Sequence, residues 1–337
     1  MTLRIGVIGA GIMGSDHARI LHRWISGAEA SMIVDIDADR ARQLSEHVAA
    51  SWSTDAAKLI EDSDAVIIAS HDSTHPELVL ACLAAGKPVM CEKPLAPTLA
   101  EAIEVYQAEQ ELIAQQGGSR LVSMGFMRRF DPAYVELKTA LHGGSHGPAL
   151  LLHCVSRTVT SGLGSTSRSS VTNSAIHELD IVPWLLDSPV VEAAWQAPRS
   201  SSLAEGLQDP QIILLRTADG VLATIETFIN ARYGYDIRCE VVAETGVLAL
   251  RDSAAITTFS DESTSTSLAA DWRPRFADAY RLELQAWVDA LNNGLVSSLP
   301  STADAVRASA VADAVITSME SGGSFVSVPD PFVGIEK

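Results

Sequence analysis

Apolar and polar positions follow two different rhythms along the chain, and the change comes near residue 125. Before it, short apolar runs alternate with longer segments whose apolar residues recur every three to four positions. The runs LRIGVIG, ASMIVDID, DAVIIAS, PVMCEKP and RLVSMGF predict strands. SDHARILHRWI, ADRARQLSEHVAA, HPELVLACLAAG and LAEAIEVYQAEQELIAQQG predict the helices, with Ser15 as the cap of the first. Such alternation implies a parallel, doubly wound α/β sheet. After residue 125 the long runs ALLLHCVSRTV, QIILLRTADGVLATIETFINA, YDIRCEVVAETGVLALRD and AITTFS read as β. ADG and ETG sit between apolar runs as hairpin turns, which predicts a mostly antiparallel sheet. NSAIHELDIVPWLL and DAYRLELQAWVDALNNG predict helices, and the serine-rich stretches 163–170 and 260–267 predict loops. Two domains are expected, residues 1–125 and 126–337. A last helix over about 302–319 is expected to pack back on the first.

Composition narrows the class. The 337 residues suffice for a substantial core, and 47% hydrophobic with 20% charged residues is ordinary for a soluble globular protein. A net charge of −18 argues against a nucleic-acid or anionic-membrane partner, since both need a basic face. No apolar run approaches the roughly 20 residues of a membrane span. The start MTLRIGVIGAG lacks the regions of a signal peptide. Cys82, Cys91, Cys154 and Cys239 form no CxxC pair, so neither a disulfide framework nor a zinc site is indicated, and a reducing cytoplasm fits.

Four stretches carry candidate chemistry. In GAGIMG, Gly9, Gly11 and Gly14 have the GxGxxG spacing between a strand and a helix, and Asp35 follows 21 residues after Gly14 at the end of the second strand. That context fits a dinucleotide: Gly9 for the tight turn, Gly11 for close approach to a pyrophosphate, Asp35 for the ribose hydroxyls. A carboxylate there repels a 2′-phosphate, which favours NAD over NADP. The alternative is a structural glycine turn. In PVMCEKPLA, Lys93 ends an apolar strand and Pro94 fixes the next φ; an ordinary strand end facing water is the bland reading. In NSAIHELDIVPWLL, Asn173, His177 and Asp180 stand at i, i+4 and i+7 and share one face if the helix begins near Asn173. The alternatives for His177 are a polar residue satisfied in a packed helix and, more weakly, a metal ligand in an HxxxD-like pattern, which lacks a second histidine at helical spacing and a nearby cysteine. In INARYGYDIR, Tyr233 and Tyr235 flank a glycine in a β segment and would share a face, suiting a polyhydroxylated ligand or simple packing. GFMRRFDPAY places Arg128 and Arg129 just past a strand end, where ligand groups gather in such sheets and where exposed arginines are also common.

The order GAGIMG, GKPVMCEKP, GFMRRFDPAY, AIHELDIVPWLL, NARYGYDIRCEVV resembles the Gfo/Idh/MocA oxidoreductases over nearly the whole chain, and within them the inositol 2-dehydrogenases. The resemblance implies a Rossmann domain followed by an α/β domain with an open sheet, assembled as a tetramer through that sheet, a dimer being the second choice. It implies NAD as cofactor and a small polyol or sugar as substrate. It carries cofactor contacts over to Gly9, Gly11, Ile12, Met13, Gly14, Asp35, Ser70, His75, Glu92 and Lys93. Substrate contacts fall on Arg128, Ser156, Thr158, Asn173, His177 and Tyr235. Lys93, with the bond before its proline often cis in the family, would reach the nicotinamide and the substrate hydroxyl, its ammonium stabilising a developing alkoxide. His177 would take the hydroxyl proton, with Asn173 beside it, and no metal is required. The implied activity is NAD-dependent oxidation of an inositol to the keto-inositol. A dehydrogenase of another cyclic sugar and an NAD-assisted glycoside hydrolase are the alternatives, and a non-catalytic sensor of NAD or sugar comes behind them. Two places depart from the inositol pattern. Asn173 stands where those enzymes have aspartate. Ser156 and Thr158 of SRT stand where they have the histidine and asparagine of His-Arg-Asn. Both departures bear on which isomer is the substrate.

Overall fold

The computed structural model describes residues 2–162, 164–250 and 256–333. They divide into two compact units. The first holds the chain up to Met127, Asp278–Ser309 and the chain from Pro331; the second holds Arg128–Ala277 and Ala310–Asp330.

In the first unit, β1 (Leu3–Ile8), β2 (Ala28–Val34), β3 (Ser51–Ser53), β4 (Ala65–Ile68), β5 (Val89–Glu92) and β6 (Val122–Gly125) form one parallel sheet in the order β3-β2-β1-β4-β5-β6. This order reverses between β1 and β4, and ligands bind such sheets outside the strand ends at the reversal. The helices α1 (Ile12–Trp24), α2 (Ala38–Val48), α3 (Ala56–Asp62), α4 (His75–Ala84) and α5 (Leu99–Gln116) alternate with the strands. Every residue of β4, β5 and β6 is buried, as befits strands covered on both faces. Local signals start the helices: Asp37 caps α2, Asp55 caps α3, and Thr98 with Glu101 makes a capping box for α5.

The second unit is built on a seven-stranded sheet. Its strands are β7 (Ala149–Arg157), β8 (Val190–Gln196), β9 (Gln211–Thr217), β10 (Leu222–Phe228), β11 (Asp236–Ala243), β12 (Gly246–Ala249) and β15 (Val326–Ser327), in the order β12-β11-β7-β10-β9-β8-β15. The β7–β10 pair is parallel and the other neighbours are antiparallel. Burial alternates along β9 and β10: Ile213, Leu215, Ala223 and Ile225 are fully buried, while Ile212, Leu214, Thr224 and Glu226 are half-buried on the other face. With β13 (Thr257–Ser260) and β14 (Ser263–Thr266) as a separate hairpin, the unit also holds α6 (Pro132–His142), α7 (Ser167–Ser169) and α8 (Ile176–Leu186). Two helices, α9 (Trp272–Asn292) and α10 (Thr302–Glu320), contribute to both units; residues 302–309 of α10 belong to the first. No helix among the described residues is long and apolar enough to cross a membrane.

The α/β class and both sheet types agree with the sequence. Several local expectations do not hold. Gly11, not Ser15, is the N-cap of α1; Ser15 lies inside the first turn and its hydroxyl donates to the Ala10 carbonyl. Residues 260–267 are not a loop, because Asp261 and Glu262 both take positive φ and close a two-residue hairpin between β13 and β14. Within 163–170, Thr166 caps α7 through a box with Ser169. The helix does not begin as an α-helix at Asn173: Ser170–Ala175 form a π turn and α8 starts at Ile176. Leu163, Arg251, Asp252 and Ala255, placed by the sequence in a loop and in strands, lie outside the described residues.

Candidate functional site

Chemistry-bearing residues collect at the strand ends of each unit. In the first, the glycine turn follows β1. Gly9 has φ +101°, and a Cβ on it would lie 2.6 Å from the Ala69 carbonyl oxygen. A Cβ on Gly14 would lie 1.8 Å from the Gly9 oxygen, so only glycine allows α1 to approach the strand so closely. At Gly11 a Cβ would meet nothing within 4 Å. The space it would fill lies at the N-terminus of α1, which has no side-chain cap and no acidic residue in its first turn. Its free N–H groups and positive dipole end suit a pyrophosphate. Asp35 follows β2. Its Oδ2 accepts the Ala10 N–H at 2.7 Å, its Oδ1 accepts the Asp37 N–H at 2.9 Å, and Arg40 lies 3.6 Å away. The carboxylate thus fixes the glycine turn and keeps lone pairs for ribose hydroxyls. The residues fit a dinucleotide. Ile12 is exposed and Met13 half-buried at the same helix end.

Lys93 follows β5, half-buried, and the Lys93–Pro94 peptide is cis. Glu92 and His75, expected among the cofactor contacts, are 5% and 1% exposed and turn their polar atoms to the protein. Glu92 Oε1 accepts from His17 Nε2 at 2.7 Å and Oε2 accepts the Lys93 N–H at 3.2 Å. Burial alone would raise the Glu92 pKa; the hydrogen bond and charge of His17, helped by Lys93, outweigh it and hold the carboxyl below its ordinary value. His75 Nδ1 lies 2.7 Å from the Pro94 oxygen and Nε2 lies 3.1 Å from the Ser70 oxygen. Burial, opposed by the two backbone contacts, lowers the His75 pKa and so favours the neutral ring. A neutral ring has one N–H, and the shorter contact assigns it to Pro94. Ser70 itself is half-buried, its hydroxyl 2.7 Å from that of Thr74.

In the second unit the π turn carries Asn173, which is exposed, and the first turn of α8 carries His177, which is half-buried. Asp180 does not join them on an open face: it is 2% exposed and its carboxylate binds Arg129 at 3.0 Å through Nε. Arg128 is likewise 2% exposed and paired with Glu178, with its guanidinium 5.6 Å from the Phe276 ring centre. Burial works against the charge on Arg128, but Glu178 more than restores it and the pKa is raised. The two arginines therefore brace α8 at positions 178 and 180, just after His177. The tyrosines do not share a face. Gly234 between them takes φ +150° and β11 starts only at Asp236, so neither lies in a regular strand. Tyr233 is half exposed and accepts from Arg157 Nη1 at 3.0 Å. Tyr235 packs edge-on against Phe276, and burial pushes its phenol up to about 12. Ser156 is buried on the covered face of β7, and the Thr158 hydroxyl donates to the Ile229 carbonyl at 2.7 Å.

Three participants had no place in the sequence reading. His17 is one; it lies on the face of α1 that buries Gly14, Ala18 and Leu21, so a polar residue at an apolar helical position was its signal. Glu178 had none, standing beside His177 on a helix buried almost all round. Arg157 bridges Glu226 on β10 and Asp236 on β11, a cross-strand arrangement that only the register reveals.

A model of the oxidoreductase family with an NAD-binding Rossmann fold matches residues 3–115, and the C-terminal α/β domain model of the same Gfo/Idh/MocA family matches residues 164–328. The chain belongs to this family. It is accordingly an oxidoreductase with an NAD-binding domain. An inositol 2-dehydrogenase 2 of Paenarthrobacter aurescens is 52% identical over 331 residues, covering 97% of this chain and 99% of that protein. An inositol 2-dehydrogenase/D-chiro-inositol 3-dehydrogenase of Shouchella clausii is 40% identical, covering 96% and 93%. Among solved structures, the myo-inositol dehydrogenase of Lactobacillus casei in complex with NAD(H) and myo-inositol aligns with a TM-score of 0.92 at 30% identity, covering 98% and 97%.

Proposed function

We propose that this protein oxidises a secondary hydroxyl of an inositol to the ketone with NAD as hydride acceptor. The observation that carries the reading is full-length similarity to inositol 2-dehydrogenases, at 52% and 40% identity for two of them, and the chain carries Lys93 and His177 for the chemistry. Bound at the glycine turn and Asp35, NAD supplies the hydride acceptor. The chain supplies the rest. His177 takes the hydroxyl proton, an imidazole being suited to that transfer near neutral pH. The Lys93 ammonium stabilises the alkoxide charge that grows as the proton leaves. Asn173 is proposed to orient the substrate or the His177 ring, and Tyr235 to line the sugar-facing side. Arg128, Ser156 and Thr158 are proposed to act behind the substrate, shaping the walls, since their polar atoms turn inward. The protein is proposed to work as a cytoplasmic homo-oligomer, a tetramer in preference to a dimer.

A second reading takes another cyclic polyol or sugar as substrate. Asn173 and the Ser156–Thr158 segment favour it, because they replace groups of the inositol pattern. One experiment decides: NADH formation across myo-, scyllo- and chiro-inositol and a set of pyranoses. Turnover confined to inositols supports the first reading. Turnover only with pyranoses moves the protein to the second, and no turnover with any of them overturns both.

Asn173 also sets a pH test. An aspartate there would stabilise the imidazolium and raise the His177 pKa. Asn173→Asp is expected to move the acid limb of the kcat/KM profile to higher pH. An unmoved limb in an active variant would mean that His177 is not the titrating base.

A further inference from the structure

The turn that presents Lys93 is held from both sides by histidines that no ligand-facing role requires. On the N-terminal side, His17 from α1 donates to Glu92 Oε1 at 2.7 Å, and Glu92 Oε2 receives the backbone N–H of Lys93 at 3.2 Å. His17 is 0% exposed and is packed edge-to-face on Tyr280, ring centres 5.8 Å apart. On the other side, His75 at the start of α4 donates to the Pro94 carbonyl at 2.7 Å, while its other nitrogen faces the Ser70 carbonyl just past β4. Glu92 is also wedged against β6, since a Cβ on Gly125 would lie 3.2 Å from its Cδ. Three elements thus converge on the peptide unit before Lys93 and the one after Pro94, which flank the cis Lys93–Pro94 bond. One of the three is the helix whose N-terminus faces the cofactor space.

We propose that His17, Glu92 and His75 are positioning residues that clamp the Lys93 turn, so that the ammonium is presented at a fixed height over the strand ends. None is a catalytic residue, because none faces substrate or cofactor. The proposal rests on the reading of Lys93 as the alkoxide-stabilising group. The physical case is one of residual freedom. Lys93 follows the last strand residue and carries a side chain with four rotatable bonds, so its head is only as fixed as its backbone. Two hydrogen bonds, one on each side of the Lys93–Pro94 dipeptide and one of them to an ionised carboxylate, remove that backbone freedom. Misplacing a catalytic group by about 1 Å costs on the order of 10²-fold in rate.

The test uses the full-length enzyme and two readouts. His17→Leu and Glu92→Gln break the first arm, and His75→Leu breaks the second. His17→Gln and His75→Asn retain the donating nitrogen at the position used in each contact. In the first readout, kcat with a substrate that wild type oxidises is expected to fall on the order of 10-fold to 10²-fold in the disruptive variants. The Kd for NAD should stay within about twofold, and the primary deuterium isotope effect on kcat should rise as the chemical step becomes limiting. The conservative variants should recover most of the rate. A loss of folded protein alone would lower rate and active-site concentration together and leave the isotope effect unmoved, which would overturn the clamp. The second readout needs no substrate. Acetic anhydride labelling of Lys93, measured by mass spectrometry relative to the exposed Lys58, should rise by about threefold or more when an arm is cut. An unchanged ratio in both Glu92→Gln and His75→Leu overturns the proposal. If His17→Leu fails to fold, Glu92→Gln, which keeps size and shape, tests the same arm. Wild type that oxidises no polyol would overturn the proposed function, and the labelling ratio would still judge the clamp.

Discussion

Asp35 does two things with one carboxylate. It anchors the glycine turn through Ala10, and it is proposed to set the charge that a cofactor ribose meets. Asp35→Ser removes both, and it leaves Arg40, whose Nη2 stands 3.6 Å from the Asp35 carboxylate, held by Asp37 alone. A guanidinium with its Nη2 no longer facing a carboxylate, beside a short hydroxyl, suits a 2′-phosphate. The variant is therefore expected to lose kcat/KM with NAD and gain it with NADP, the ratio of the two moving by on the order of 10²-fold. Comparable use of both cofactors by wild type would refute the assignment of Asp35. Lys93 poses the opposite kind of question, since its proposed role lies in the transition state. Lys93→Met should lower kcat by on the order of 10²-fold or more with little change in the Kd for NAD. Activity within a few fold of wild type would return Lys93 to an ordinary strand end.

At the scale of elements, α8 shows what a buried helix needs. It buries Glu178 and Asp180 beside a stripe of aliphatic residues, and each carboxylate meets one of the paired arginines that follow β6. Arg128→Met would leave Glu178 buried and unpaired, which is expected to cost about 3–5 kcal/mol in urea unfolding. Adding Glu178→Leu should recover most of that loss, because a packed apolar pair avoids the desolvation of both charges. A double variant as unstable as the single one would show that Arg128 acts through Phe276 instead. These pairs also mark the limit of legibility. The doubly wound domain, the glycine turn, Asp35 and the antiparallel sheet were all readable, because each rests on a local period or a fixed spacing. Arg128 was readable as important but not as an ion pair with a residue fifty positions on. The Asp261–Glu262 hairpin escaped because it carries no glycine or asparagine to signal positive φ, and the π turn at Ser170–Ala175 because no residue type marks one extra residue in a turn. His75 and Glu92 were legible as residues near the strand ends, but only the packing shows that they turn their polar atoms inward.

For the whole molecule, charge and pH are linked through a few groups. Asp64 is held below its ordinary pKa by its hydrogen bond to Arg4, Asp271 by Arg273, and Glu92 by His17 against the effect of burial. Their folded pKa values lie below the unfolded ones, so what they contribute is present above the unfolded values and is lost as pH falls through the folded ones. His75 acts earlier. Burial lowers its folded pKa below 6.5, the ordinary value retained by the unfolded chain. Below pH 6.5 the unfolded state binds a proton that the folded state refuses, and stability declines until the folded pKa is reached. The formal charge of −18 works the other way, since protonation relieves repulsion. A wild-type pH profile would mix the two, but the difference between wild type and His75→Asn in the same buffer cancels the general charge effect. His75→Asn keeps the donor to Pro94 and cannot titrate. The advantage of wild type over it is expected to shrink between pH 6.5 and 5.5 by at most about 1.4 kcal/mol, or roughly 2–4 °C in Tm. A constant advantage would mean that the His75 pKa is not lowered by burial. An advantage that grows with acidity would mean that the folded ring is charged and donates to both the Pro94 and Ser70 carbonyls, and the clamp on the Lys93 turn would then tighten, not loosen, as pH falls.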